Sequence, residues 1–293
     1  MLFTQIYPNF AAMDNSVTRT HRLQLLFLLL MAVTHSLFAQ QQNEWADRAY
    51  AYVAQDSLAQ AETCFKKAIE ASPASGQCAM LLANMGTIQR RRGKIKEAIE
   101  SYTSALDRAP FSIAVLMDRA TAYMTLGNDD KAYTDLCNVL DMNPSHVDAL
   151  YYRAFIYTSR REYAAARTDY QRLLTIDPFH ENALLGVALL DQREGRLQAA
   201  EQQLSQLTER YPDNATYWQA RANVLIEQGL YDLALIDLDT AIALQPTDAH
   251  AYVARAELYL KMKRHAAAKE DLLRATSLGL SRAALSDLYE QCK

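Results

Sequence analysis

Residues 151–170, YYRAFIYTSRREYAAARTDY, gather phenols, guanidinium groups and carboxylates in one short stretch. Such a set could relay protons or hold an anionic substrate. His146 and His180 add imidazoles, and Cys64, Cys78, Cys137 and Cys292 add thiols able to ligate a metal or act as nucleophiles. The spacing argues against each reading. No cysteine pair has the two-residue separation of a metal knuckle. The histidines stand 34 residues apart, each two residues after a proline, and His250 and His265 are equally isolated. No nucleophile elbow, phosphate-cradling glycine loop or zinc-protease helix is present. Catalysis, a metal and a cofactor are therefore not expected.

What remains is architecture, because a catalytic constellation occurs once whereas a packing solution recurs. Half of the 293 residues are hydrophobic, with only 8 glycines, so the chain can bury a large ordered core. Helix formers dominate after residue 43 and no stretch alternates long enough for a strand, which predicts an all-α protein. Prolines fall at 73, 110, 144, 178, 212 and 246, giving a first interval of 37 and then four of 34. Placing each at position 32 of a 34-residue unit defines units 42–75, 79–112, 113–146, 147–180, 181–214, 215–248 and 249–282.

Positions not used to set the register support it. Position 8 holds Ala49, Gly86, Ala120, Ala154, Ala188, Ala222 and Ala256, and position 20 holds Ala61, Ala98, Ala132, Ala166, Ala200, Ala234 and Ala268. Two antiparallel helices come closest where neither carries more than a methyl group. Large residues recur at position 24, as Phe65, Tyr102, Leu136, Tyr170, Leu204, Leu238 and Leu272, while Gly93, Gly127, Gly195 and Gly229 at position 15 suit a tight turn.

The chain resembles the tetratricopeptide repeat family over residues 42 to about 282. The first unit matches the family pattern through Trp45, Ala49, Tyr52, Ala61, Phe65, Ala68 and Pro73, whereas Gln89, Asp191 and Leu225 replace the aromatic at position 11. The resemblance implies an α-solenoid of seven helical hairpins, closed by a capping helix at 283–291 within the terminal segment 283–293. It also implies a concave groove lined by positions 2, 5, 9, 12 and 13, which hold Met117, Thr121, Tyr151, Phe155, Leu185, Leu189, Arg193, Gln219 and Asn223. An apolar, aromatic lining suits an extended or helical peptide; the same side chains could instead be covered by neighbouring units or a second copy of the chain. The family's clamp for a terminal carboxylate is missing, since Asn84 faces Ala46, Tyr50, Ala114 and Asp118.

Three further expectations follow. Arg90, Arg91, Arg92, Lys94, Arg160 and Arg161 could form a basic edge for an anionic partner, or simply complement helix C-termini. Cys64 and Cys78 should be unpaired, because a helix separates Cys64 from the loop before Cys78. Arg153 and Asp169, at positions 7 and 23, recur as Arg119 with Asp135, Arg221 with Asp237 and Arg255 with Asp271, and vanish together in units two and five. That co-occurrence predicts an ion pair, within a unit or between successive units.

At the N-terminus, Arg19, His21 and Arg22 precede the apolar run LQLLFLLLMAVTHSLF at 23–38, with Ala39 before a polar stretch. This reads as a secretory signal over residues 1–39, cleaved after Ala39, with Met13 as an alternative start; an uncleaved anchor is the other reading. Without Arg19, Arg22 and Asp14, the 30 basic and 34 acidic side chains become 28 and 33. An acidic chain does not suit nucleic acid. The sequence thus predicts an exported, periplasmic or secreted scaffold that binds a protein or peptide and can form homo-oligomers. The alternative is a membrane-held assembly factor organising cell-wall or outer-membrane machinery.

Overall fold

A computed structural model describes residues 19–292, so residues 1–18, including Met13, lie outside the described residues. The chain divides into two compact units, residues 1–138 and 139–293. The N-terminal unit contains α1 (Arg19–Ala54), α2 (Leu58–Ala71), α3 (Cys78–Arg91), α4 (Ile95–Leu106), α5 (Ile113–Thr125) and the start of α6 (Asp129–Met142). The C-terminal unit contains α7 (Val147–Ser159), α8 (Tyr163–Ile176), α9 (Glu181–Arg193), α10 (Leu197–Arg210), α11 (Ala215–Glu227), α12 (Tyr231–Leu244), α13 (Ala249–Lys261), α14 (His265–Ser277) and α15 (Ser286–Gln291). The fold class is all-α, built from successive helical hairpins.

The small residues sit where the helices touch. Every alanine at positions 8 and 20 is fully buried, and Gly86 is buried with them. Around them the position-24 residues Phe65, Tyr102, Leu136, Leu204, Leu238 and Leu272 lose nearly all contact with water. Close packing at this density leaves no room for a longer side chain at the contact.

Turns between the two helices of a hairpin need left-handed backbone. Gly93, Gly127, Gly195 and Gly229 take φ values between +69° and +79°. Asp56, Arg161 and Lys263 take φ of 55°, 61° and 59° at the same position, a conformation that costs an L-residue about 1 kcal/mol.

The two ends of the chain depart from the repeat pattern. Helix α1 is continuous from the apolar run into the first repeat helix, yet Leu26, Phe27, Leu28, Leu30, Leu37 and Phe38 are all exposed. Packing begins at Gln42, whose Nε2 donates to Ser75 Oγ at 2.7 Å, and at Ala46. No helix among the described residues is long and apolar enough to cross a membrane. At the other end the expected 283–291 helix is shortened to α15. The preceding segment turns, with Ala284 N donating to Ser281 O at 3.0 Å, and drives Leu285 into the cluster formed by Tyr252, Leu272 and Ala275. Cys64 and Cys78 are not joined to each other, and both are buried.

Candidate ligand groove

Arg153, Asp169 and Tyr170 of the opening stretch belong to the packing. Arg153 donates from Nε and Nη2 to the two carboxylate oxygens of Asp169 at 2.7 and 2.8 Å. Arg119 grips Asp135 the same way at 2.9 and 2.7 Å, Arg221 grips Asp237 at 2.7 Å twice, and Arg255 grips Asp271 at 2.8 and 2.7 Å. All four pairs lie within a repeat, and each carboxylate is buried. The remaining guanidinium nitrogen reaches position 25 of the preceding repeat: Arg119 Nη1 meets Thr103 at 3.1 Å, Arg221 Nη1 meets Ser205 at 3.2 Å, and Arg255 Nη1 meets Asp239 at 2.7 Å. One arginine therefore ties three helices together. Burial pushes the Tyr170 phenol up to about 12, so it holds its proton at neutral pH.

The two repeats that lack both members of the pair carry a substitute. In the second repeat Ser101 Oγ donates to Gln89 Oε1 at 2.7 Å, and Gln89 Nε2 reaches Glu62 at 3.3 Å, with Arg92 and Lys94 on the same Glu62. In the fifth, Gln203 Nε2 donates to Asp191 Oδ2 at 2.8 Å, and Arg167 and Arg196 each meet Asp191 Oδ1 at 2.8 Å. Burial alone would raise the Asp191 carboxyl, but hydrogen bonds from Arg196 and Gln203 and the charge of Arg167 hold it below its ordinary value. The signal was in the sequence: position 11 turns polar, as Gln89 and Asp191, only where positions 7 and 23 lose their charges. The first repeat, with Arg48 and Cys64, places Arg48 and Lys67 over the Trp45 ring instead, at 4.8 and 4.2 Å.

The histidines are helix caps. His146 Nδ1 accepts from Ala149 N, and His180 Nδ1 accepts from Ala183 N, both at 3.2 Å. At the equivalent position Asn214 and Asp248 cap α11 and α13. We expect His146→Ala to cost about 1 kcal/mol while His146→Asn costs little, as measured by urea unfolding.

The expected groove residues divide between the two units. In the N-terminal unit, α5 carries half-buried Met117 and Thr121, and Thr121 Oγ1 donates to the Asp118 carbonyl at 2.9 Å. A cleft of about 400 Å³ lies beside them, lined by Met80, Asn84, Thr87 and Asp118 among small residues. Asn84 Nδ2 is spent on the Tyr50 hydroxyl at 2.8 Å. In the C-terminal unit, Leu189, Arg193 and Asn223 line a cleft of about 650 Å³ together with Thr158, Gln192, Ile226, Glu227, Glu257, Leu258 and Lys261. Phe155 is 50% exposed and Leu189 37% exposed. Tyr151 is half-buried among Tyr152, Tyr170 and His180, Leu185 packs against the core around Ala188 and Leu204, and Gln219 Nε2 donates to Asp248 at 2.8 Å. Those three shape the wall and do not line the cleft.

The basic edge is largely neutralised from within. Arg90 meets Asp118 at 3.5 Å, Arg91 meets Asp56 at 2.7 Å, and Arg92 and Lys94 share Glu62. Its charge is therefore smaller than Arg90, Arg91, Arg92 and Lys94 suggest by number. Arg161 is exposed and lines a neighbouring notch, while Arg160 caps α7. A second apolar surface was not anticipated: Leu233 and Ile236 on α12 are 51% and 59% exposed. Among the described residues no group of His, Cys, Asp and Glu side chains could hold a metal ion.

Helical hairpins at a 34-residue period, with small residues at the contact and a lined cleft on the first helices, define a repeat-built interaction fold. Tetratricopeptide repeat family models match residues 42–110, 84–139, 117–181, 157–224, 215–248 and 249–278, and the chain belongs to that family. It is similar to a tetratricopeptide repeat protein from Parabacteroides merdae, at 31% identity and a TM-score of 0.74, over 86% of this chain and 99% of that one. Two structures share the fold at lower identity. PilW, a type IV pilus biogenesis factor, has 17% identity and a TM-score of 0.60 over 67% of this chain and 91% of its own. YrrB, described as having an unusual peptide-binding site, has 20% identity and a TM-score of 0.53 over 65% and 97%. Protein NPGR2 of Arabidopsis thaliana is 28% identical over 92 residues, so the match spans 31% of this chain and 12% of that protein.

Proposed function

We propose that this chain is an exported, non-catalytic scaffold that binds a peptide or protein segment in the groove of its C-terminal unit. The observation that carries the reading is the exposure of Phe155 and Leu189 beside a cleft of about 650 Å³. Apolar side chains left in water next to a concavity mark contact surfaces, because covering them recovers the hydrophobic free energy that folding left unused. Peptide binding by YrrB accords with this use of the fold. Affinity capture with the wild-type chain and with Tyr151→Ala/Phe155→Ala/Leu189→Ala tests it. The triple variant should lose the bound protein, and capture of every partner at full yield would remove the groove from consideration.

Export is supported by the exposed apolar run in α1 and by the start of packing at Gln42, three residues beyond Ala39. Removing residues 1–39 discards exposed apolar surface and leaves the first packed residue intact. The mature chain should begin at Gln40 by N-terminal sequencing and be free of the membrane fraction. A retained N-terminus in membranes would instead favour the envelope assembly factor.

A further inference from the structure

At one end of the C-terminal cleft the charge is of a single sign. Phe155, Thr158, Ser159, Arg161, Tyr163 and Arg193 line a notch of about 320 Å³. Two of these, Thr158 and Arg193, also line the larger cleft, so the two cavities are neighbours. The larger cleft mixes Arg193 and Lys261 with Glu227 and Glu257, and Glu227 accepts from Gln192 at 2.6 Å. The notch has two guanidinium groups and no carboxylate among its lining residues. Of the acids nearby in the chain, Glu194 is held by Arg167 and Arg196, and Glu162 is exposed and does not line the notch. Thr158 and Ser159 donate their hydroxyl protons to Ala154 O and Ile156 O, which leaves recognition of an anion to the two arginines and the Tyr163 hydroxyl.

Arg161 also occupies left-handed backbone at a turn position where four other repeats carry glycine. Its side chain is thus kept at a conformational cost. Asp56 sits in the same conformation in the first repeat and uses its carboxylate to bind Arg91.

We propose that the notch receives an acidic side chain of the bound peptide, with its carboxylate between Arg161 and Arg193 and an adjoining apolar side chain laid over Phe155 and Leu189. This rests on the groove reading above. A planar guanidinium matches a carboxylate with two parallel hydrogen bonds, and two of them lining one notch favour an anion over a neutral isostere. The adjoining cavities and the exposed Phe155 and Leu189 fit an elongated peptide better than a small free anion.

The test is a selection from a random dodecapeptide library against the purified chain, repeated with Arg193→Glu, Arg161→Gly and Phe155→Ala/Leu189→Ala. The wild-type chain should enrich peptides with Asp or Glu next to a large apolar residue, and Arg193→Glu should shift that position toward Lys or Arg. Arg161→Gly should bind the wild-type selected peptides about tenfold more weakly while its melting temperature rises, because glycine accepts the left-handed turn. A purely structural arginine would not separate those two readouts. Enrichment of apolar peptides without acid, still lost on Phe155→Ala/Leu189→Ala, would overturn the acidic partner and leave the groove standing. No enrichment above the Phe155→Ala/Leu189→Ala background would overturn both.

Discussion

Asp237→Ala should lower the unfolding free energy by about 3 kcal/mol, because it strands the Arg221 guanidinium in a partly buried site. Asp237 is 2% exposed and accepts two hydrogen bonds from Arg221, which also reaches Ser205 and Thr208 in the preceding repeat. The comparison that isolates burial is Asp239→Ala, two residues away. Asp239 also binds an arginine at 2.7 Å, but its side chain is 53% exposed. With one member so open to water, and Arg255 still held by Asp271, the pair contributes roughly 0 to 1 kcal/mol. Urea unfolding of both variants, with a double-mutant cycle on Arg221 and Asp237, gives the coupling directly. Equal effects from Asp237→Ala and Asp239→Ala would show that the arginine pairs do not hold the hairpins together.

Gly186→Ala should destabilise the C-terminal unit even though it improves helix propensity. The two effects oppose each other, and their sizes decide the sign. Replacing glycine by alanine within α9 gains at most about 1 kcal/mol. A Cβ there would lie 2.5 Å from Tyr170 Cζ and 2.9 Å from its hydroxyl, an overlap that costs about 1 to 3 kcal/mol to relieve in a packed core. A net loss is expected. Tyr170→Leu should rescue it, since leucine fills the same position as Leu136, Leu204, Leu238 and Leu272. Gly76→Ala, where the added carbon meets nothing within 4 Å, serves as the control. A stabilised Gly186→Ala protein would mean that Tyr170 is not held as the packing implies.

These two sites show what could be read without coordinates and what could not. The arginine–aspartate pairs were legible because both members vary together at a fixed offset, so covariation among the repeats replaced an alignment. Whether each pair closed within a repeat or between repeats was not legible, since both geometries preserve the same offset. The substitute network at Gln89 and Asp191 escaped notice because position 11 was read only as a lost aromatic. Gly186 escaped because it stands at position 6, where the repeat pattern sets no size rule, and its need arises from a tyrosine of the preceding repeat. Among the groove positions, Phe155 and Leu189 are exposed, while Tyr151 and Leu185 share that register but pack inward. Periodicity fixes which face a residue shares, and the size of its neighbours decides how far it reaches water. The exposed Leu233 and Ile236 on α12 lay outside the groove positions altogether.

That second apolar surface gives the central claim a direct competitor. A photoreactive phenylalanine analogue placed singly at residues 155, 189 and 236 and activated by light in the cells that express the chain would report which surface is covered. The groove reading predicts adducts to a partner from 155 and 189, reduced by excess selected peptide, and none from 236. Adducts confined to 236 would contradict it, placing the partner on α12 and leaving the groove empty.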